Sequence, residues 1–229
     1  MTPLAAETTR QQRGRDRLLV LPFGSCEQHG GHLPLGTDTF IAESVAKNLV
    51  TRLGERAVLG PTQAIGASGE HNDFPGTLSL GNEVLAQLVV ELVRSADHFV
   101  GTVIVNGHGG NLAALTEARN LLSAEGRHLL VIPCSVPRAD LHAGRTETSA
   151  MLALAPELVD LRFAEPGNCS SFAELEADLR MGGIAAVAPN GVLGDPTGAT
   201  AAEGELILNE MLARAEMILA TWVDGGASE

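Results

Sequence analysis

The chain has 229 residues, 45% of them hydrophobic, which is enough for one sizeable core. Its 15 Lys and Arg against 28 Asp and Glu give a formal charge of −13, and six Phe, one Trp and no Tyr leave little to stack on bases, so nucleic acid is excluded as a partner. The three cysteines, Cys26, Cys134 and Cys169, are widely spaced with no C-x-x-C pair; this argues against a disulfide framework or zinc ribbon and fits a reducing cytoplasm.

Residues 1–17 are polar, Arg-rich and aperiodic, and are expected to be flexible. Arg-rich "RQQRGRDR" followed by "LLVLPFGSC" imitates a lipoprotein leader. Its apolar part, Leu18 to Phe23, is only six residues and contains Pro22, too short for such a leader. No other apolar run nears the roughly 18 residues of a membrane span, so no membrane association is expected.

From Leu18 to residue 224 we expect one domain, with 225–229 as a flexible tail. Leu18–Phe23 reads as a buried strand, and "DTFIAESVAKNLVTRL" has Phe40, Ile41, Val45, Leu49 and Leu53 at helical spacing. "AVLGPTQAI" reads as a second strand interrupted by Gly60-Pro61, and "TLSL" as a short extended piece. Asn82 is the expected N-cap of a helix with Leu85, Leu88, Val89 and Leu92 on its buried face. "TVIVNG" is a strand, "NLAALTEARNLLSAEG" a helix stopped by Gly126, and "LLVIPCS" a further strand. Thr200 and Glu203 frame a capping box that opens a last helix, with Leu208, Met211, Leu212, Ala215, Leu219 and Trp222 inward. Apolar strands alternating with amphipathic helices predict an α/β fold: a mostly parallel sheet with helices on both faces, three layers in all.

Ligands of such folds bind beyond the carboxyl ends of the strands. The first strand is followed by "GSCEQHGGHLPLGTD", with Glu27, His29, His32 and Asp38. "TVIVN" is followed by His108 in "GHGGN", and "LLVIPCS" by "VPRADLHAGRTETS", with His142 and Glu147. In an extended segment Glu27 and His29 project to the same side, as two ligands of one centre require. Three carboxylates, Glu27, Asp38 and Glu147, balance two divalent cations and a bridging hydroxide. Imidazoles mixed with carboxylates suit Zn, Fe or Mn better than Ca. Such an ion pair activates water and polarises a carbonyl, so hydrolysis of a C–N amide bond is the expected chemistry. His98 and His128 stand apart from these blocks and read as ordinary polar residues.

With "GASGEHNDFPGTLSL" and "GVLGDPTGATAAEG" added, these blocks resemble the creatininase family of metal-dependent amidohydrolases from about Leu18 to Glu205. The resemblance implies a sheet-centred α/β fold, two divalent metal ions and a homo-oligomer, a hexamer or octamer. It places Glu27, His29, Asp38 and His108 on family ligands, with Asp38 the bridge. Creatinine-hydrolysing members carry Glu two residues after the histidine matching His108, where this chain has Gly110; Glu147 is expected to replace that ligand. His142, in "HAG", is expected to pass a proton to the leaving nitrogen or orient the substrate. His32 and Asn111 are expected to support the ligands by hydrogen bonds.

Creatinine sites of the family are lined by tryptophan, and the one Trp here is Trp222 on the last helix, so creatinine itself is disfavoured. The wording of the blocks lies nearest a branch that trims a modified precursor peptide, which implies a short modified peptide as substrate and release of a C-terminal dipeptide. Alternatives are a small cyclic amide or formamide substrate, and a metal- or small-molecule-binding protein without catalysis. Cys26 with His29 is a remote nucleophile. The roles of Glu70, His71 and Asp195 stay open.

Overall fold

The computed structural model describes residues 2–226. Four strands, β1 (Leu18–Phe23), β2 (Ala57–Leu59), β3 (Gly101–Asn106) and β4 (Leu129–Pro133), form one parallel sheet in the order β2-β1-β3-β4. Seven α-helices accompany them: α1 (Thr9–Gln12), α2 (Thr37–Leu53), α3 (Asn82–Ser95), α4 (Leu112–Ala124), α5 (Arg145–Leu154), α6 (Phe172–Val187) and α7 (Ala201–Gly226).

Side chains alternate across a strand, and here both faces are covered. Leu19, Leu21, Phe23 and Ile104 point one way and pack with Leu85, Val89 and Val93 of α3 and Leu115 and Leu122 of α4. Leu18, Val20, Val103 and Val105 point the other way, against Ile41, Val45 and Leu49 of α2 and Met211, Leu212, Ala215 and Leu219 of α7. Burying both faces requires strands apolar throughout, which is why the alternation of a half-exposed strand is absent from "LLVLPF".

Several boundaries differ from the expectation. The second strand is regular only over Ala57–Leu59, since Pro61 has no N–H for a ladder, although Gly60 N and Gln63 N still donate to the Val20 and Pro22 carbonyls. Asn82 lies inside α3; Gly81, at φ 73, takes the cap position. Leu92 of that helix is exposed, and Ala86, Val90 and Val93 complete the buried stripe instead. At Thr200 half of the expected capping box forms: Glu203 N donates to Thr200 Oγ1, while the Glu203 carboxylate accepts from Arg145 and Ser149. Helices α5 and α6 were not anticipated. The first lies within the "HAGRTETS" block, where site residues mask its apolar pattern, and the second buries only Leu175 and Ile184.

In the segment expected to be flexible, Thr8 and Gln11 form a capping box for α1, and buried Arg17 pairs with Glu7 at 2.7 Å. Of the expected tail, Gly225 and Gly226 end α7 and residues 227–229 lie outside the described residues. No helix among the described residues is long and apolar enough to cross a membrane.

Candidate metal centre

A parallel sheet brings all strand ends to one rim, and the order β2-β1-β3-β4 makes β1 and β3 neighbours although β2 intervenes in sequence. That reversal is where α/β folds open a crevice. Phe23 is paired with Asn106, so the segments leaving β1 and β3 start side by side. Glu27 and His29 follow β1, Asp38 lies in the first turn of α2, and His108 follows β3. His142 and Glu147 follow β4, with Glu147 in the first turn of α5, and His71 follows β2 in a short 3-10 turn. Asp38 and Glu147 thus both sit at helix N-termini, where unpaired N–H groups favour a carboxylate.

The six expected site residues come together. His29 Nε2 lies 3.2 Å from Asp38 Oδ1 and 3.9 Å from Glu147 Oε2. His108 Nδ1 is 3.2 Å from Asp38 Oδ2, and its Nε2 is 3.1 Å from Glu27 Oε2. His142 Nδ1 is 3.9 Å from Glu27 Oε1, and the His29 and His142 rings are 4.3 Å apart. Glu27, His29 and Asp38 form one group with ligand-type atoms close enough to share an ion, and His29, His142 and Glu147 form another.

Glu27 is fully buried, and both its carboxylate oxygens lack a hydrogen-bond donor within the protein. A buried anion without donors is costly, and a cation is what would relieve it. The donor set of imidazoles and carboxylates fits a transition metal or zinc.

Backbone carbonyls can only accept, which fixes the imidazole tautomers. His29 Nδ1 donates to the Glu27 carbonyl (3.1 Å), leaving Nε2 toward Asp38 and Glu147. His142 Nε2 donates to the Gln28 carbonyl (2.8 Å), leaving the Nδ1 lone pair toward Glu27. Gln28 Oε1 accepts from Gly30 N, so its amide nitrogen faces His71 Nδ1 (2.9 Å) and the Gly191 carbonyl (3.1 Å). His71 Nδ1 therefore accepts, and its Nε2 lies 3.3 Å from Glu27 Oε1 without forming a hydrogen bond to it.

Burial opposes a charge on His29, but the carboxylates of Asp38, Glu147 and Glu27 outweigh it and hold its pKa up at about 9. His108 is likewise raised despite burial, by Asp38 and Glu27. Burial would raise Asp38, but His29 and His108 hold it well below its usual range. Glu147 is pushed up to about 7, by burial first and then by Asp38, against the pull of His29. His142 is held well below its ordinary value by burial and by His29 and His71, and His71 is lowered to about 4, chiefly by burial. The pocket therefore attracts positive charge around Asp38 while keeping His142 and His71 neutral.

Gly110 has a steric explanation. A Cβ there would collide with Glu70 Oε1 and His108 Nε2 and lie 2.5 Å from the Ala67 carbonyl oxygen, so the site leaves no room for a side chain at 110. His71, left open from sequence, belongs to the cluster, and Gln28 was overlooked. The adjacency of Gln28 to Glu27 and His29 was the available signal. His32 makes its hydrogen bond to Thr148 Oγ1 (2.9 Å) rather than to a ligand, and so braces the helix that carries Glu147. Asn111 ties the ligand loops together through Ala67 N, the Gly24 carbonyl and Asn106 Oδ1. Cys26 Sγ faces the Gly76 carbonyl (3.8 Å), on the wall of a separate small cavity. Exposed Asp195 caps a turn through Thr197. His98 and His128 are exposed and outside the cluster.

The chain belongs to the creatininase family, hydrolases that act on C–N bonds: the family profile described as creatinine amidohydrolase matches residues 3–219. It is 50% identical over 214 residues to the mycofactocin precursor peptide peptidase of Mycolicibacterium smegmatis, covering 91% of this chain and 87% of that one. Identity to the protein of the same name from Mycobacterium tuberculosis is 45% over 229 residues, covering 96% and 91%. A solved "Creatininase Mn" superposes with a TM-score of 0.78 at 28% identity, covering 96% of this chain and 98% of that one. A mutant creatininase of "Zn-Zn type" gives 0.79 at 27% identity, covering 97% and 99%.

Proposed function

We propose that this protein is a metal-dependent peptidase that releases a C-terminal dipeptide from the modified mycofactocin precursor peptide. The observation that carries the reading is donor-free, buried Glu27 on the floor of a cavity of about 940 Å³ that also takes in Asp38, His108, His142 and Glu147. The relatives at 45–50% identity bear that activity in their names. Trp222 lies against Gly101 at the amino end of β3, away from this rim, so no tryptophan lines the cavity as creatinine sites of the family require.

In this reading Glu27, His29, Asp38, His108 and Glu147 would hold two divalent ions, as Zn, Fe or Mn. Bound there, the ions would lower the pKa of a water and polarise the scissile carbonyl. Asp38 is fixed by Ser25 Oγ, which donates to Oδ2 at 2.9 Å. Glu147 is aimed by Ala143 N, which donates to its Oε2 at 2.6 Å. Neutral His142, locked through Nε2, presents Nδ1 to take the proton of the attacking water and deliver it to the departing nitrogen. His71, held by Gln28, sets its ring beside Glu27. One domain over 18–224 carries this activity in the cytoplasm. Assembly as a hexamer or octamer is supported by exposed apolar side chains such as Leu206 and Met217 on α7.

Elemental analysis coupled to mass spectrometry of precursor peptides, beside a panel of cyclic amides and formamides, tests the reading. Two ions per chain and chelator-sensitive loss of a dipeptide are expected. Sustained cleavage by metal-free enzyme, or turnover confined to the small amides, overturns it. Glu147→Ala should retain one ion of the two; full activity with both ions present would remove Glu147 from the ligand set.

A further inference from the structure

Helix α6 leans over the site because of Gly183, whose φ of 63 breaks the helical path and where a Cβ would sit 2.6 Å from the Glu70 carbonyl oxygen. As a result Phe172, Glu176, Leu179 and Arg180 line the same cavity as the metal-centre residues. The charges along that cavity are lopsided. Six carboxylates line it, from Glu27, Asp38, Glu70, Asp73, Glu147 and Glu176, and Arg180 is the one Lys or Arg among the described lining residues.

A peptide cut two residues from its end carries a free carboxylate about 7 Å beyond the scissile carbonyl when extended. Ions held by Glu27, Asp38 and Glu147 serve the carbonyl end; of the charges left along the described lining, those of Glu70, Asp73 and Glu176 repel the other end and the Arg180 guanidinium attracts it. Arg180 is 78% exposed, with Nη2 at 2.7 Å and Nε at 3.2 Å from Glu176 Oε1. Such an exposed i,i+4 pair is weak, so a planar carboxylate arriving from the cavity can displace Glu176 and take both N–H groups of the fork.

We propose that Arg180 anchors the C-terminal carboxylate of the peptide substrate and so sets the dipeptide length of the product. The inference rests on the peptidase reading and names the group that gives it its register. The test compares the precursor peptide as free acid and as C-terminal amide, in steady-state kinetics of the wild type, Arg180→Ala, Arg180→Lys and Glu176→Gln. Expected are a wild-type preference for the acid and a KM for the acid raised about tenfold to a hundredfold in Arg180→Ala, with the amide hardly affected. Arg180→Lys should recover part of the loss, and Glu176→Gln should hold or lower the acid's KM by freeing the guanidinium. If the pair merely braces α6, Arg180→Ala and Glu176→Gln shift acid and amide alike, and the anchor is refuted. Equal wild-type activity on both peptides, or an unchanged KM for the acid in Arg180→Ala, also refutes it. A wild type that cleaves neither peptide removes the peptidase reading itself, and the anchor with it.

Discussion

The two walls of the cavity are built in opposite ways. The wall along the strand ends is buried and over-determined: His29, Asp38 and His108 each contact at least two other ionisable or hydrogen-bonding groups, and Glu27 has no exposed surface. The α6 wall is exposed, with Phe172 at 54%, Met181 at 81% and Arg180 paired with its helical neighbour Glu176. Rigid, desolvated groups suit chemistry whose geometry must not vary, while a wet wall can distinguish substrates at little cost to the fold. Substitutions on the first wall should therefore remove metal and turnover, and those on the second should change KM.

The sharpest way to break this contrast is Asp38→Asn. Loss of both ions and a fall of about a thousandfold in kcat/KM are expected, with the fold intact by circular dichroism. A variant that kept its metal and rate would show that the buried wall is structural. One shell outward, Gln28→Leu removes the amide that fixes His71 and should weaken metal affinity about tenfold to a hundredfold in chelator competition, leaving the Arg180-dependent KM ratio untouched.

Acidity separates the walls in another way. In protein stripped by chelator, His29 titrates at about 9 against 6.5 for the unperturbed ring, and Glu147 at about 7 against 4.5. Both folded values are raised, so each proton stabilises the fold fully below its unfolded pKa. That stabilisation fades as pH climbs, through about 7 for Glu147 and about 9 for His29. His71 and His142, held low, work the opposite way only below their unfolded value of 6.5, so the melting temperature of stripped protein should fall between pH 7 and 9, that of loaded protein should fall less, and metal affinity should rise over the same interval as the ion displaces these protons. An unchanged affinity across it would contradict the assignment of both residues. The smallest effect belongs far from either wall: Thr200→Ala removes the acceptor for Glu203 N and should cost about 1 kcal/mol, a few degrees of melting temperature, with kinetics unaltered.

How much of this was legible in the sequence depended on whether a residue's meaning is local. "LLVLPF" announces a doubly covered strand by composition alone, and the reach of helical spacing is enough for α2 and α7. Glu27, His29, Asp38 and His108 were readable because each follows a strand and the strands are parallel, so the rim is implied. His71 and Gln28 were not, because their significance lies in a bond of 2.9 Å between side chains 43 positions apart. Helix α6 was missed for a related reason: a wall that faces a cavity and solvent has no continuous apolar stripe to detect, and Gly182-Gly183 reads as a stop. Asn82 was misplaced by one residue because a glycine with positive φ competes with a side-chain cap, and here the backbone requirement prevailed.

The crowding around Gly110 constrains how this active site can change over generations. A Cβ at 110 would press on the Glu70 carboxylate, the His108 ring and the Ala67 carbonyl oxygen; Glu70 can swing away, but a backbone oxygen and a ring of the metal centre cannot. Removing Glu70 therefore does not make room at 110. A library varying the two positions together should recover glycine at 110 in every active clone while accepting a wider choice at 70.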